Sequence, residues 1–214
     1  MQFIDIHTHK IYHDGTISPP SAGVHPWDAA DVDLAKELEY LSHAPVAAIG
    51  EVGLDYARAR DMADRTRQQT VLRAQLAVAG RRALPVVIHC ARAWGDMLPI
   101  LSEYTLAAVI FHGYIGSPRQ TAALLTRDGY YLSFGVRSLH SPKTVQSLRL
   151  TPPDRLFAET DDDPTPISDI YCQIADIKDM PLDALIGAIE RSYEKLFGAR
   201  LSSRTMHVRN DKIN

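Results

Sequence analysis

Five short apolar runs in this chain each end in a histidine or a carboxylate. The run at 3–6 leads into His7-Thr8-His9, and the run at 46–49 into Gly50-Glu51, with Asp55 shortly after. The run at 85–88 ends in His89, that at 107–111 in His112-Gly113, and that at 156–158 in Glu159-Thr160-Asp161. In an extended strand, residues two apart point the same way, so His7 and His9 can reach one ion together. Imidazole with carboxylate suits zinc, manganese or iron, and magnesium where carboxylates and water dominate. A glutamate among several histidines can bridge two ions. Each piece alone is weak, since a lone His-x-His or a single strand-end histidine is commonly incidental. The conjunction carries the argument. Polar groups gathered in one place with nothing to neutralise them would be costly.

These residues need a scaffold that delivers strand ends to one face. The apolar runs, together with those at 130–133 and a shorter one at 21–24, suit strands buried on both faces, as in parallel sheets. Between them lie amphipathic stretches. Leu34, Leu38 and Leu41 form one stripe, and Leu72, Leu76 and Ala79 another, followed by Trp94, Met97, Leu98 and Leu101. Ser117-Pro118 and Ser141-Pro142 read as helix openings, with Gly129 closing the first. Ile167, Ile170, Ile174 and Ile177, then Leu185, Ile189, Tyr193 and Leu196, line two final helices. Strand–helix alternation of this kind means α/β with a parallel sheet. In a closed barrel all carboxyl ends of the strands share the face on which such folds build active sites.

At 214 residues the chain suits one domain near the lower size limit for such a barrel. The expected division is a barrel at 1–198 and a tail from 199 to 214. The formal net charge of −3 gives no global steering toward nucleic acid. Cys90 and Cys172 fit no metal-knuckle spacing and read as buried or half-buried free thiols, hence a reducing, cytoplasmic setting. No apolar run approaches a membrane span, and no obligate protein partner is evident. His13, His43, His140 and His207 read as solvated, Trp27 and Trp94 as packing residues, and the arginines between 65 and 82 as an exposed helix face. Arg58 and Arg60, just after Asp55-Tyr56, are placed to meet an anionic substrate.

The ordered motifs Asp5-Ile6-His7-Thr8-His9, Gly23-Val24-His25-Pro26, Gly50-Glu51-Val52-Gly53-Leu54-Asp55, Pro85-Val86-Val87-Ile88-His89, His112-Gly113-Tyr114-Ile115-Gly116 and Glu159-Thr160-Asp161 resemble the TatD family of metal-dependent hydrolases. The resemblance spans residue 4 to about residue 198. It implies a distorted, TIM-like (β/α) barrel and Mg-dependent DNase or exonuclease action on DNA or a small phosphodiester. It further implies two divalent ions (Mg, Mn or Zn). His7, His9 and Asp161 would hold one, and His89 and His112 the other, with Glu51 bridging. Asp161 would also take a proton from the attacking water, so Asp161 and Glu51 are the implied catalytic residues. His25 and Asp55 would support the ligands or contact substrate, as would Arg58.

The chain departs from the family pattern in three places. Only 15 residues separate His9 from His25, so one βα unit is abridged between Lys10 and Gly23, leaving seven strands or a gap. Ala91 stands where many members carry arginine, with Arg92 following. Ser192-Tyr193 replaces an asparagine of the last helix. None of these touches an implied ligand. Two other functional classes stay open at this stage. One is hydrolysis of small amides, lactones or phosphoesters on the same metal core. The other is a degenerate member that binds metal without turnover.

Overall fold

The computed structural model describes residues 2–12 and 14–198. His13, His207 and the expected tail at 199–214 lie outside the described residues. Six parallel strands form one sheet in chain order: β1 (Ser21–Ala22), β2 (Ala48–Asp55), β3 (Val86–Ala91), β4 (Val109–Phe111), β5 (Tyr130–Phe134) and β6 (Leu156–Ala158). Between consecutive strands run α1 (Leu34–His43), α2 (Met62–Arg82), α3 (Trp94–Ser102), α4 (Pro118–Leu125), and the pair α5 (Val136–Leu139) and α6 (Pro142–Leu150). Helices α7 (Ile167–Lys178) and α8 (Leu182–Tyr193) follow the last strand. Strands β4, β5 and β6 are buried along their whole length, as continuous apolar runs flanked by helices require.

The helix starts follow local chemistry. Asp33, Asp61, Ser117 and Ser141 each accept a hydrogen bond from a first-turn backbone N–H, and proline follows each serine at the first helical position. The expected stop at Gly129 is corrected: α4 ends at Leu125, and Gly129, at φ +75°, makes the turn into β5 instead. The apolar stripe of α4 runs out before the glycine is reached.

The segment at 3–9 differs from the regular strand expected at 3–6. It makes isolated bridges, yet these span the two open edges of the sheet. On one side the Ile6 and His9 N–H groups donate to the carbonyls of Ala158 and Asp161, and the Asp161 N–H donates to His7. On the other, Ile4 bridges Ile17 in parallel, with Asp5 and Ile17 donating to Ile17 and Phe3. The chain then continues into β1, and Pro20 receives bonds from Ala47 and Ala48. The N-terminal segment thus stands as a seventh, irregular stave between β6 and β1. Among the described residues of its return to β1 there is no helix, the abridgement expected between Lys10 and Gly23.

Candidate metal centre

Strand β2 carries the central carboxylate, and a bulge aims it. Ile49 pairs with Val86 but Val52 with Ile88, so β2 holds one more residue than β3 over that stretch. A bulge re-aims a side chain at the rim of a sheet, and here it brings Glu51 among the imidazoles. Two residues on, Gly53 is required by close approach, because a Cβ there would lie 1.9 Å from the His89 carbonyl oxygen.

Four imidazoles surround Glu51. Its Oε1 lies 2.7 Å from His112 Nε2, 2.8 Å from His89 Nδ1 and 3.1 Å from His25 Nε2. Its Oε2 lies 3.1 Å from His7 Nε2. Beside this knot, Asp161 Oδ1 sits 3.8 Å from His7 Nε2 and 3.5 Å from His9 Nε2. The predicted ligands His7, His9, Glu51, His89, His112 and Asp161 are therefore brought together from five staves, and none is left out. Among the described residues, potential ligand atoms form three groups: His7/His9/Asp161, His7/Glu51/His112 and His25/Glu51/His89.

Carboxylates stand behind two of the rings. His89 Nε2 faces Asp55 Oδ2 at 3.3 Å, which leaves its Nδ1 lone pair toward Glu51. His112 Nδ1 faces Glu159 Oε1 at 3.6 Å, which leaves Nε2 inward. The His89–Asp55 contact is of the carboxylate–histidine kind that fixes ring orientation in metal sites, whereas the His112–Glu159 approach is too long for a hydrogen bond. His25 is oriented the opposite way. Its Nδ1 accepts the Trp27 backbone N–H at 3.2 Å, so the neutral ring carries its proton on Nε2 and donates to Glu51. His25 thus presents an N–H, not a lone pair, toward Glu51.

Charge and burial mark the same spot. Burial pushes the Glu51 carboxyl up, but contacts from His112, His25, His7 and His89 outweigh it and hold the group far below the usual range. Burial pulls His112 down, but Glu159 and Glu51 overcome this and raise it to about 10. Burial raises Asp161 toward neutrality, despite His112 and His7 nearby. For Asp55, burial is outweighed by the Trp27 hydrogen bond and by His89, and the group is held low. Among the described residues, buried His7 Nε2, His112 Nδ1 and Glu159 Oε2 have no hydrogen-bond partner. Nitrogens crowding one carboxylate, with orphaned buried donors and acceptors among them, are the chemistry that a divalent cation completes.

Three residues make contacts here that the sequence did not assign to them. Glu159, fully buried, accepts the N–H of Gly113 and faces His112. Its place two residues before Asp161, at the end of β6, was the available signal. Asp5, also fully buried, accepts bonds from the Thr160 N–H (3.0 Å), Thr160 Oγ1 (2.6 Å) and Tyr12 Oη (2.6 Å). Trp27 is a correction: it is 49% exposed rather than packed, because its ring stands over the strand mouths and its Nε1 donates to Asp55 Oδ2 at 2.7 Å. Trp94 does pack, against Phe111 and Tyr114. Cys172 is a second correction, exposed because it falls off the isoleucine stripe of α7, while Cys90 is half-buried. Among the arginines of α2, Arg82 turns inward to cap carbonyls of Leu41 and Ala44.

Residues 7–198 match the sequence profile of the TatD related DNase family. The chain belongs to that family. TatD relatives include the metal-dependent hydrolase YabD of Bacillus subtilis, 33% identical over 82% of this chain and 75% of its own length. The 3′-5′ ssDNA/RNA exonuclease TatD of Erwinia amylovora is 34% identical over 66% of this chain. That alignment spans 56%, little more than half, of the exonuclease's length. The TatD homologue YjjV of Escherichia coli shares the fold, with a TM-score of 0.78 at 22% identity over 92% of this chain and 98% of its own. A TatD family hydrolase of Entamoeba histolytica gives 0.72 at 19% identity over 86% and 75%. Family membership makes this a metal-dependent hydrolase fold with its ligand-type residues in place. Among the described residues, no helix is long and apolar enough to cross a membrane.

Proposed function

We propose that this chain is a divalent-metal-dependent phosphodiesterase acting on single-stranded DNA or RNA, as the Erwinia relative is named to do. One observation carries the reading: a single carboxylate, Glu51, faces four imidazoles at 2.7–3.1 Å beside the His7/His9/Asp161 group. His7, His9 and Asp161 would hold one ion, and His89 and His112 a second, with Glu51 shared. Bound divalent ions supply Lewis acidity toward the phosphodiester and lower the pKa of water.

The chain's own groups do the rest. Asp161, about a third exposed at the mouth and raised by burial, accepts the proton of the attacking water. Water oxygen then bonds phosphorus while the bond from phosphorus to the leaving oxygen breaks. Asp55 and Glu159 hold the His89 and His112 rings, and His25 holds Glu51. His9, 65% exposed, stands at the entrance where substrate arrives.

The test is elemental analysis of the purified protein, with release of mononucleotides from labelled single-stranded DNA and RNA across Mg, Mn and Zn. Mononucleotide release with an added ion supports the reading. Turnover of small lactones or chromogenic phosphodiesters with inert nucleic acid would assign the site to small substrates. Stoichiometric metal without turnover of anything would mark a binding protein.

A further inference from the structure

A recess of about 280 Å³ opens beside the metal centre, lined in part by Trp27, Asp31, Arg58, Arg60, Asp64 and Arg67. Its floor is tied to the chemistry. Trp27 Nε1 and the backbone N–H groups of Ala57 and Arg58 all bond the Asp55 carboxylate that orients His89. The indole centroid lies 6.3 Å from that of His89.

The recess carries three guanidiniums on its walls. The Arg58 guanidinium lies over the indole, its Cζ 3.5 Å from the ring centroid, a cation–π contact that holds the planar fork in place. Three guanidiniums face two carboxylates here. Arg60 is spent on Asp64, through contacts of 2.6 and 2.9 Å. Arg58 and Arg67 form no ion pair among the described residues, and Arg67 makes only a 3.5 Å contact to the Ala30 carbonyl. Long exposed arginines without a carboxylate partner, one stacked on a half-exposed tryptophan, are costly to order unless a ligand uses them.

We propose that this recess is a subsite for the nucleotide next to the scissile phosphate, with its base stacked on the Arg58–Trp27 layer and its phosphate paired with Arg67. The inference rests on the nucleic-acid reading above. A guanidinium plane backed by an aromatic ring accepts any base by its face, so the subsite is tolerant of sequence. It demands a single strand, because a base stacked within a duplex offers no free face.

The experiment compares wild type with Arg58→Gln and Arg67→Gln. Binding of fluorescein-labelled oligothymidylate is followed by anisotropy, and turnover of bis(p-nitrophenyl) phosphate is measured with added manganese. We expect each variant to weaken oligonucleotide binding at least tenfold more than it slows the small diester. Arg67→Gln should also flatten the salt dependence of binding by roughly 0.7 in log–log slope, the contribution of one single-strand phosphate. Unaltered oligonucleotide affinity in both variants, or equal losses on both substrates, overturns the subsite. A wild type that does not bind the oligonucleotide overturns it as well. Oligonucleotide bound through these arginines but never shortened would leave the subsite standing and refute the nuclease reading.

Discussion

Two polar clusters draw on neighbouring residues, Asp5 and Thr160 for one and His7 and Asp161 for the other, and have opposite characters. Around Asp5, every strong group is matched: its carboxylate takes three hydrogen bonds, and Thr8 Oγ1 meets Thr160 Oγ1 at 2.8 Å. Around Glu51, four rings compete for one carboxylate, and several buried atoms have no partner. A satisfied polar knot specifies structure, whereas an unsatisfied one is a place where a ligand is owed. The Asp5 knot also pins Thr160, next to Asp161, which is held at φ +53°. A left-handed backbone at an aspartate persists only where its surroundings over-determine it, and Asp5 is part of those surroundings.

Changes on the two sides of this contrast should separate cleanly. The largest effect is expected from Asp161→Asn. It should lower nuclease turnover by about 10²–10⁴-fold, the range of a lost proton acceptor, while circular dichroism shows the fold intact. Full turnover in that variant would give the proton to another group. Glu159→Gln should weaken metal affinity by about 10–100-fold, measured by calorimetric titration, because it loosens His112 without removing a ligand. Asp5→Ala should act in the reverse sense. Three donors lose their acceptor, so stability to urea should fall by about 2–4 kcal/mol while ion stoichiometry is retained. A stable Asp5→Ala protein that no longer binds ions would erase the distinction between the clusters.

The smallest effect is a pH dependence. His112 is raised from its ordinary 6.5 to about 10, so its imidazolium stabilises the metal-free fold fully below about 6.5 and progressively less toward 10. Glu51 is depressed, so its contribution is present above its ordinary 4.5 and lost as the pH falls through its folded-state value. The metal-free pair is therefore strongest between about 4.5 and 6.5. A cation must displace the His112 proton, so the rise in Tm on adding manganese should be larger near about pH 8.5 than near about pH 6. An equal rise at both would show that His112 is not a ligand.

Much of this was legible in the chain, for physical reasons. Continuous apolar runs ending in His89, His112 or Glu159-Thr160-Asp161 define buried parallel strands with chemistry at their carboxyl ends, and the order of the ligand motifs survives any error in element boundaries. Regularity was over-read at residues 3–6. The period of the run is that of a strand, but the Asp5 side chain takes the Thr160 N–H, where a ladder would place a backbone carbonyl. The supporting groups were hidden for another reason. Glu159, Asp5 and Trp27 work through partners 46, 155 and 28 residues away, and no local spacing reports such pairings. Trp27 departs from the expectation that an indole packs in the core, because its Nε1 is held by Asp55 at the mouth.

The central claim is that Glu51 is the carboxylate shared by the bound ions. Calorimetric titration of manganese or zinc into metal-free wild type and Glu51→Gln tests it most directly. The wild type should bind tightly, and the variant should lose one or both sites while melting near the metal-free wild-type temperature. Wild-type stoichiometry and affinity in Glu51→Gln would contradict it.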